Sequence, residues 1–439
     1  MHKVLKFGGS SMANAQQYAK VKSIVEYDES RRVVVVSAAG KRYQEDHKIT
    51  DLLYLCHAHL KYGVSCDAVF EMIARRYLDI ERELGLKTNL EREFAALRDK
   101  MDEGITEDEL VSRGEYFSAR LMADYLGFTF VDAAEWLLFN LDGSVDKETS
   151  YARLRALAQD KKIVTPGFYG AMVDGSIKTF TRGGSDITGA LAAAALDADV
   201  YENWTDVSGI LMADPRIVED PEPIARVTYA ELRELSYLGA QVLHEDTIFP
   251  VAERNIPLNI RNTNDPAHPG TIIMESFPND EGEDDHRFIT GIAGKKDYVI
   301  LSIYKKGFSS QVGAQRRILE VVEEHKLSVE YTPNGIDTVS LVIPGKQFEK
   351  RRHSLIAALN ERIEPDRIDI TENIAVVAAV GRKMAFRPGI SGKIFAALGE
   401  HGINIRMISQ GPQEVNIIVG VDGKDFANTV RVLYNSFVK

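Results

Sequence analysis

Along the first 275 residues, short apolar runs rich in β-branched side chains alternate with longer stretches of helical spacing. "VLKF" stands at the start, and "RVVVVSAAG" follows at 32–40. Amphipathic segments then run to residue 125. Further apolar runs follow in "GFTFVDA", "KIVTPGFYGA", "SIKTFT", "DVYENWTD" and "IPLNIRN". Strands separated by helix-length segments predict an α/β domain whose largely parallel sheet is covered by helices on both faces.

The pattern breaks at 276–288, "SFPNDEGEDDHRF", which is dense in acids and turn formers and predicts a solvated linker. Beyond it the chain repeats itself. "ILEVVEEHKLSVEYTPNGIDTVSLVIPGKQF" (318–348) aligns with "IFAALGEHGINIRMISQGPQEVNIIVGVDGKDF" (394–426). Each copy reads strand, helix, strand, strand, helix, the order of a ferredoxin-like βαββαβ unit. The second copy has no sixth strand after its helix at 424–436, so a strand at 288–294 is expected to complete its sheet and interlock the two units. The expected domains are therefore 1–280, 281–372 and 373–439.

Hydrophobic content of 44% and charged content of 27% are those of a globular protein, and 439 residues exceed one ordinary core. No run approaches the length of a membrane span, and the first strand leaves no room for a leader, so a cytoplasmic protein is expected. Lys and Arg number 53 against 65 acids, and the net charge of −12 argues against nucleic acid as a partner. Cys56 and Cys66 have neither paired spacing nor a His/Cys cluster beside them, which argues against a disulfide framework or structural zinc.

Four stretches carry candidate chemistry. In "KFGGSS" the backbone at Gly8 and Gly9 can approach a phosphate while Lys6 neutralises charge, although neither the Walker order nor G-x-G-x-x-G is present. In "TRGGSD" Arg182 and two glycines end a strand before an alanine-rich helix, the usual ligand crevice of an open α/β sheet. Ser185 or Asp186 also suits that helix's N-cap. In "WTDVSGILMADPR" Thr205 and Asp206 end a strand, and Arg216 follows an Asp-Pro turn that would wall a nucleotide pocket. In "SRGEYFSARL" Glu115 reads as an acid complementing a helix start, and Thr50 of "HKITDLL" as an N-cap.

Taken in order, "KFGGSS", "VVSAAG", "SRGEYFSARL", "TRGGSD", "WTDVSGI" and "ADPR" resemble the aspartate kinases of the amino-acid kinase superfamily, and the tandem repeat resembles their paired ACT domains. The resemblance spans essentially the whole chain. It implies transfer of phosphate from ATP with Mg to L-aspartate, the entry to lysine, threonine, methionine and isoleucine synthesis. An ionised carboxylate nucleophile needs no general base, so positioning and electrostatics would carry the reaction.

By that resemblance Lys6 would bridge donor phosphate and acceptor carboxylate, with Gly8, Gly9, Ser10 and Ser185 on the nucleotide. Arg182 would clamp the substrate α-carboxylate, Glu115 would take its ammonium, and Ser37 and Thr50 would help bind it. Asp186 would orient Lys6 or the metal-bound phosphates, while Thr205, Asp206 and Arg216 would line the nucleotide site. Ser10 replaces a threonine of many members. Leu211 and Gln241 stand where some members have a nucleotide-contacting tyrosine and lysine.

The ACT pair implies feedback inhibition by lysine, threonine or both in a homodimer or homotetramer. Glu330 or Asp337 would hold the effector's ammonium. Its carboxylate would sit on the loops at 305–311 and 409–414, with Ser409 and Gln410 in the second. The alternatives are another acyl-phosphate-forming kinase, such as one for glutamate, and an inactive amino-acid sensor.

Overall fold

In a computed structural model of the chain, the described residues are 2–181, 183–239, 247–277, 288–382, 384, 388–411 and 415–438. Arg182, Gln241 and most of the expected linker (278–287) lie outside them. The chain forms two compact units, one of residues 1–210, 223–229 and 242–277, the other of 211–222, 230–241 and 278–439.

The first unit is built on an eight-stranded sheet. Its strands are β1 (Lys3–Phe7), β2 (Arg31–Val36), β3 (Thr129–Phe130), β4 (Ile163–Pro166), β5 (Val200–Thr205), β6 (Arg226–Thr228), β7 (Leu258–Asn262) and β8 (Thr271–Met274). They lie in the order β6-β8-β7-β5-β1-β2-β4-β3, and every neighbouring pair except β7 and β8 is parallel. "KIVTPGFYGA" divides between β4 and a small separate sheet of Leu138–Phe139, Tyr169–Met172 and Ile177–Thr179.

Alternation along the strands puts helices on both faces. Leu5 and Phe7 of β1, Val34 and Val36 of β2 and Trp204 of β5 join one buried cluster with Tyr18 and Val21 of α1 (Ala15–Glu26), Leu53 of α2 (Ile49–Lys61) and Phe117 and Leu121 of α3 (Glu107–Leu126). Lys6 and Tyr201 belong to the opposite face, where α4 (Gly184–Ala195) packs. The small residues of α4 permit that approach, since a Cβ on Gly189 would stand 2.3 Å from the Tyr201 hydroxyl.

Two sequence-expected caps are displaced. The N-cap of α2 is Lys48, which places Thr50 inside the helix, and the N-cap of α4 is Gly183, at φ 59°, which places Ser185 and Asp186 in its first turn. Glu115 is not near a helix start either. Thr106 caps α3, and Glu107, Asp108 and Glu109 supply its first-turn acids, so Glu115 falls two turns further in.

The second unit contains one antiparallel sheet of β9 (Gly291–Tyr304), β10 (Thr338–Pro344), β11 (Arg367–Val380), β12 (Ile405–Ser409) and β13 (Asn416–Asp422), in the order β10-β9-β11-β13-β12. The long strands β9 and β11 pair along most of their lengths. Residues 298–304 of β9 also pair with β10, whereas residues 374–380 of β11 also pair with β13. Each long strand thus serves both repeats. The helices at Ala314–Glu324 and Ile390–Glu400 begin after left-handed Gly313 and Gly389. They end at His325 and His401, each ring nitrogen meeting the carbonyl oxygen four residues back.

One expected strand is missing from the first repeat among the described residues. Around 329–334 there are only the isolated bridges Tyr331 to Val342 and Asn334 to Val339. Pro333, aligned with Ser409 of β12, brings no N–H to a ladder, and Asn334-Gly335 turn the chain.

Backbone packing at Gly40 generates a stability prediction. A Cβ there would lie 2.6 Å from the Gly9 carbonyl carbon, and both partners are backbone. Gly40→Ala should therefore destabilise the first unit by ~1–3 kcal/mol. Thermal unfolding checks it, and an unchanged Tm would refute the tight approach.

Candidate active site

The C-terminal ends of β1, β2 and β5 carry the loops that meet at the site. Gly8 N–H donates to the Trp204 carbonyl at 3.0 Å, Ser37 N–H to the Phe7 carbonyl at 3.1 Å, and Gly40 N–H to the Gly9 carbonyl at 2.8 Å. Trp204 is itself fixed. It stacks on Phe7, lies under the guanidinium groups of Arg31 and Arg261, and donates its indole N–H to buried Glu202 at 2.9 Å. Behind the second loop, Arg76 donates to the Gly40 carbonyl at 3.0 Å and to Asp46 at 2.9 Å. Burial opposes a charge on Asp46, yet Arg42 and Arg76 hold its carboxyl well below the usual range.

These loops and α4 enclose a cavity of about 590 Å³. Lys6, Gly9, Ser10, Ser37, Thr50, Glu115, Ser185, Asp186 and Asp206 all line it. Stretches separated by as many as 200 positions in the sequence therefore converge. Gly8 and Thr205 are not in the lining; Gly8 supports the loop through Trp204, and the Thr205 hydroxyl meets Asp206 at 3.2 Å. Arg216 belongs to the second unit, exposed and held by Asp214 at 2.6 Å. Leu211 belongs to that unit as well. Lys41, Lys48 and Phe168 line the cavity too and were not singled out from the sequence. The one available signal was the pair of lysines bracketing the segment between "VVSAAG" and "ITDLL".

Lys6 is 7% exposed, and its Nζ stands 2.6 Å from Asp186 Oδ1. Asn203 Nδ2 donates to the same oxygen at 2.9 Å. The lysine can thus be held in place before any anion arrives, with two further N–H donors to offer. Glu115 is 4% exposed, and its Oε2 has no hydrogen-bond partner. Burial pushes its carboxyl up to about 8, opposed by a hydrogen bond from the Ala38 backbone. A buried carboxyl on a cavity wall, with one oxygen lacking a hydrogen-bond partner, is a receptor for a cation or an N–H donor.

The amino acid kinase family model matches residues 1–262, and an ACT domain model matches 377–437. Over 99% of its length the chain is 36% identical to aspartokinase 3 of Bacillus subtilis (strain 168), spanning 98% of that protein. The chain belongs to the aspartokinase family. It is therefore a kinase, with an ATP-using catalytic region and an ACT region. A crystal structure of Clostridium acetobutylicum aspartate kinase is 45% identical and matches with a TM-score of 0.91 over 99% of both chains. E. coli aspartokinase III in complex with aspartate and ADP is 26% identical, with a TM-score of 0.73 over the whole of both chains. The same E. coli enzyme in complex with lysine and aspartate is 25% identical, again at 0.73.

The residues proposed for an effector lie within the second unit. Glu330 accepts the Tyr237 hydroxyl, and Asp337 Oδ1 accepts the Gly307 N–H at 2.8 Å. Gln410 Oε1 accepts the Ser391 hydroxyl at 3.0 Å, and Ser409 ends β12. Residues 412–414 of the second effector loop lie outside the described residues. No described helix is long and apolar enough to cross a membrane.

The raised Glu115 carboxyl sets a pH prediction. Between its ordinary value of 4.5 and about 8, the folded chain keeps a proton that the unfolded chain releases. Its contribution to stability is thus complete below pH 4.5 and lost as pH rises through 8. In denaturant unfolding of the ligand-free protein, Glu115→Gln should flatten the decline between pH 5 and 8. Equal slopes in parent and variant would contradict it.

Proposed function

We propose that the chain phosphorylates the side-chain carboxylate of L-aspartate, giving ADP and 4-phospho-L-aspartate, under feedback control by an amino acid bound to its ACT region. The observation that carries the catalytic reading is one cavity lined by both the Lys6–Asp186 pair and the half-unsatisfied carboxyl of Glu115. A zwitterionic substrate with a second carboxylate fits that arrangement. Its ammonium goes to Glu115, which ionises on binding it. Its reacting carboxylate goes to Lys6, beside the γ-phosphate of ATP.

The acceptor is already ionised at neutral pH, so no base is required of the protein. What remains is to hold two anions in line and to offset the charge that develops between them. Lys6 does this at the reacting atoms. Gly9, Ser10 and Ser185 supply nucleotide contacts, Ser37 and Thr50 hold the substrate, and Arg182 takes its α-carboxylate. Gly8 acts through loop shape, and Thr205 joins the nucleotide site through Asp206.

Among the described residues no three His, Cys, Asp or Glu side chains converge as a metal cage. Mg²⁺ ordinarily rides on substrate phosphates, needing one or two protein carboxylates and its own waters, and Asp186 and Asp206 fit that small requirement. When bound, the ion would neutralise phosphate charge.

Domain limits of 1–280, 281–372 and 373–439 separate the catalytic from the regulatory functions in this reading. A homodimer or homotetramer would form through the ACT units. Lysine, threonine or both would act there, with Glu330 or Asp337 on the ammonium and Ser409 and Gln410 beside the carboxylate.

Two assays test these readings. ADP release should require L-aspartate and be absent with L-glutamate; turnover with glutamate alone would move the chain to another acyl-phosphate-forming kinase. Added L-lysine or L-threonine, separately or together, should suppress the aspartate reaction in the parent and much less in Glu330→Gln. Full activity of the parent with both present would remove the effector reading.

A further inference from the structure

Asn203 is a polar side chain at a position that the strand pattern would make apolar. It lies on β5 directly across from Lys6 of β1, is 4% exposed, and faces the alanine-rich α4. Its amide meets Asp186 Oδ1, the same oxygen that Lys6 approaches. A carboxylate oxygen only accepts, so the amide nitrogen must be the atom turned to it. That leaves Asn203 Oδ1 buried with no partner. Half of the amide is unsatisfied, and the satisfied half is spent on Asp186. An aliphatic residue would fill the same space without burying an unpaired oxygen.

We propose that Asn203 is a positioning residue for phosphoryl transfer, holding the Asp186 carboxylate in place while Lys6 is drawn to the phosphates. The inference rests on the roles given above to Lys6 and Asp186. When a polyanion recruits Lys6, the Asp186 carboxylate loses one of its two side-chain partners and is freer to rotate away. A second donor on the same oxygen prevents this, and it is neutral, so it does not compete for the phosphate. The other charged or titratable groups facing Asp186 are Lys6 from β1 and Tyr201 from β5, whose hydroxyl donates to the Asp186 carbonyl at 3.1 Å. Glu115 of α3 and Asp206 share the cavity.

Three variants of the full chain test the proposal with ATP and L-aspartate. Asn203→Leu removes the donor and keeps the bulk. Its kcat should fall at least about tenfold, the equivalent of one charge-assisted hydrogen bond. The KM for aspartate should stay within about twofold, so that the loss falls on kcat alone.

Asn203→Asp is isosteric and replaces the amide donor by an acceptor. Its kcat should fall at least as far as that of Asn203→Leu, while Asn203→Gln, which keeps an amide donor, should recover part of the loss. Circular dichroism and thermal unfolding establish folding, and the isosteric variant decides the matter if Asn203→Leu does not fold. Folded variants whose kcat matches the parent overturn the proposal. A parent chain that releases no ADP in the same assay overturns the kinase reading beneath it, which is a separate result.

Discussion

The contact between Lys6 and Asp186 is the constraint around which the first unit is arranged. It joins the first strand to a helix 180 residues later and sets an ammonium and a carboxylate together under low exposure. Each group offers the other its nearest opposite charge, at 2.6 Å. The strand carrying Lys6 must be anchored on its opposite face, which Leu5 and Phe7 achieve in the large core. The helix carrying Asp186 must come close, which the small residues of α4 permit. A loop bearing the phosphate contacts must leave β1 in a fixed direction, and the Gly8 bond to Trp204 gives it one. Placement of a single pair thus selects strand alternation, helix composition and loop path together.

Glu115 shows the complementary principle. Lys6 waits with its partner in place, while Glu115 waits with one oxygen unsatisfied and a proton retained. A site for a zwitterion needs both kinds of preparation. One end is charged and held; the other becomes charged only when the ligand supplies an opposite charge, so the free protein does not carry a naked buried anion. Three backbone hydrogen bonds among the loops around Gly8, Ser37 and Gly40 keep the two ends at a fixed separation without drawing on side chains.

Much of the fold was legible in sequence because period-2 and period-3.6 patterns are local. The long β-branched run at Val33–Val36 announced a buried parallel strand, and the tandem repeat was visible as an offset of 76 residues. The site's composition was legible through family resemblance, and the cavity gathers most of the residues so named. What escaped depends on tertiary context. Thr50, Ser185 and Asp186 have the chemistry of caps, yet the chain enters both helices earlier, at Lys48 and Gly183. Glu115 looked like a first-turn acid because the start of its helix was misplaced by about two turns. Pro333 removed a strand that the aligned repeat contains. Asn203 carried no signal, since its meaning lies in what stands across the sheet and above it.

The sheet of the second unit has a consequence in time. The 291–295 half of β9 finds its partners at 376–380, so a growing chain exposes that edge until roughly 80 more residues have been added. At ~5–20 residues per second that interval is about 4–16 s. The segment that waits ends in Lys295 and is followed at once by Lys296 and Asp297, all three exposed in the finished sheet. Charges at such a place discourage pairing with strands of other nascent chains. The same seam that lets two repeats share their longest strands therefore also protects the chain while it is being made.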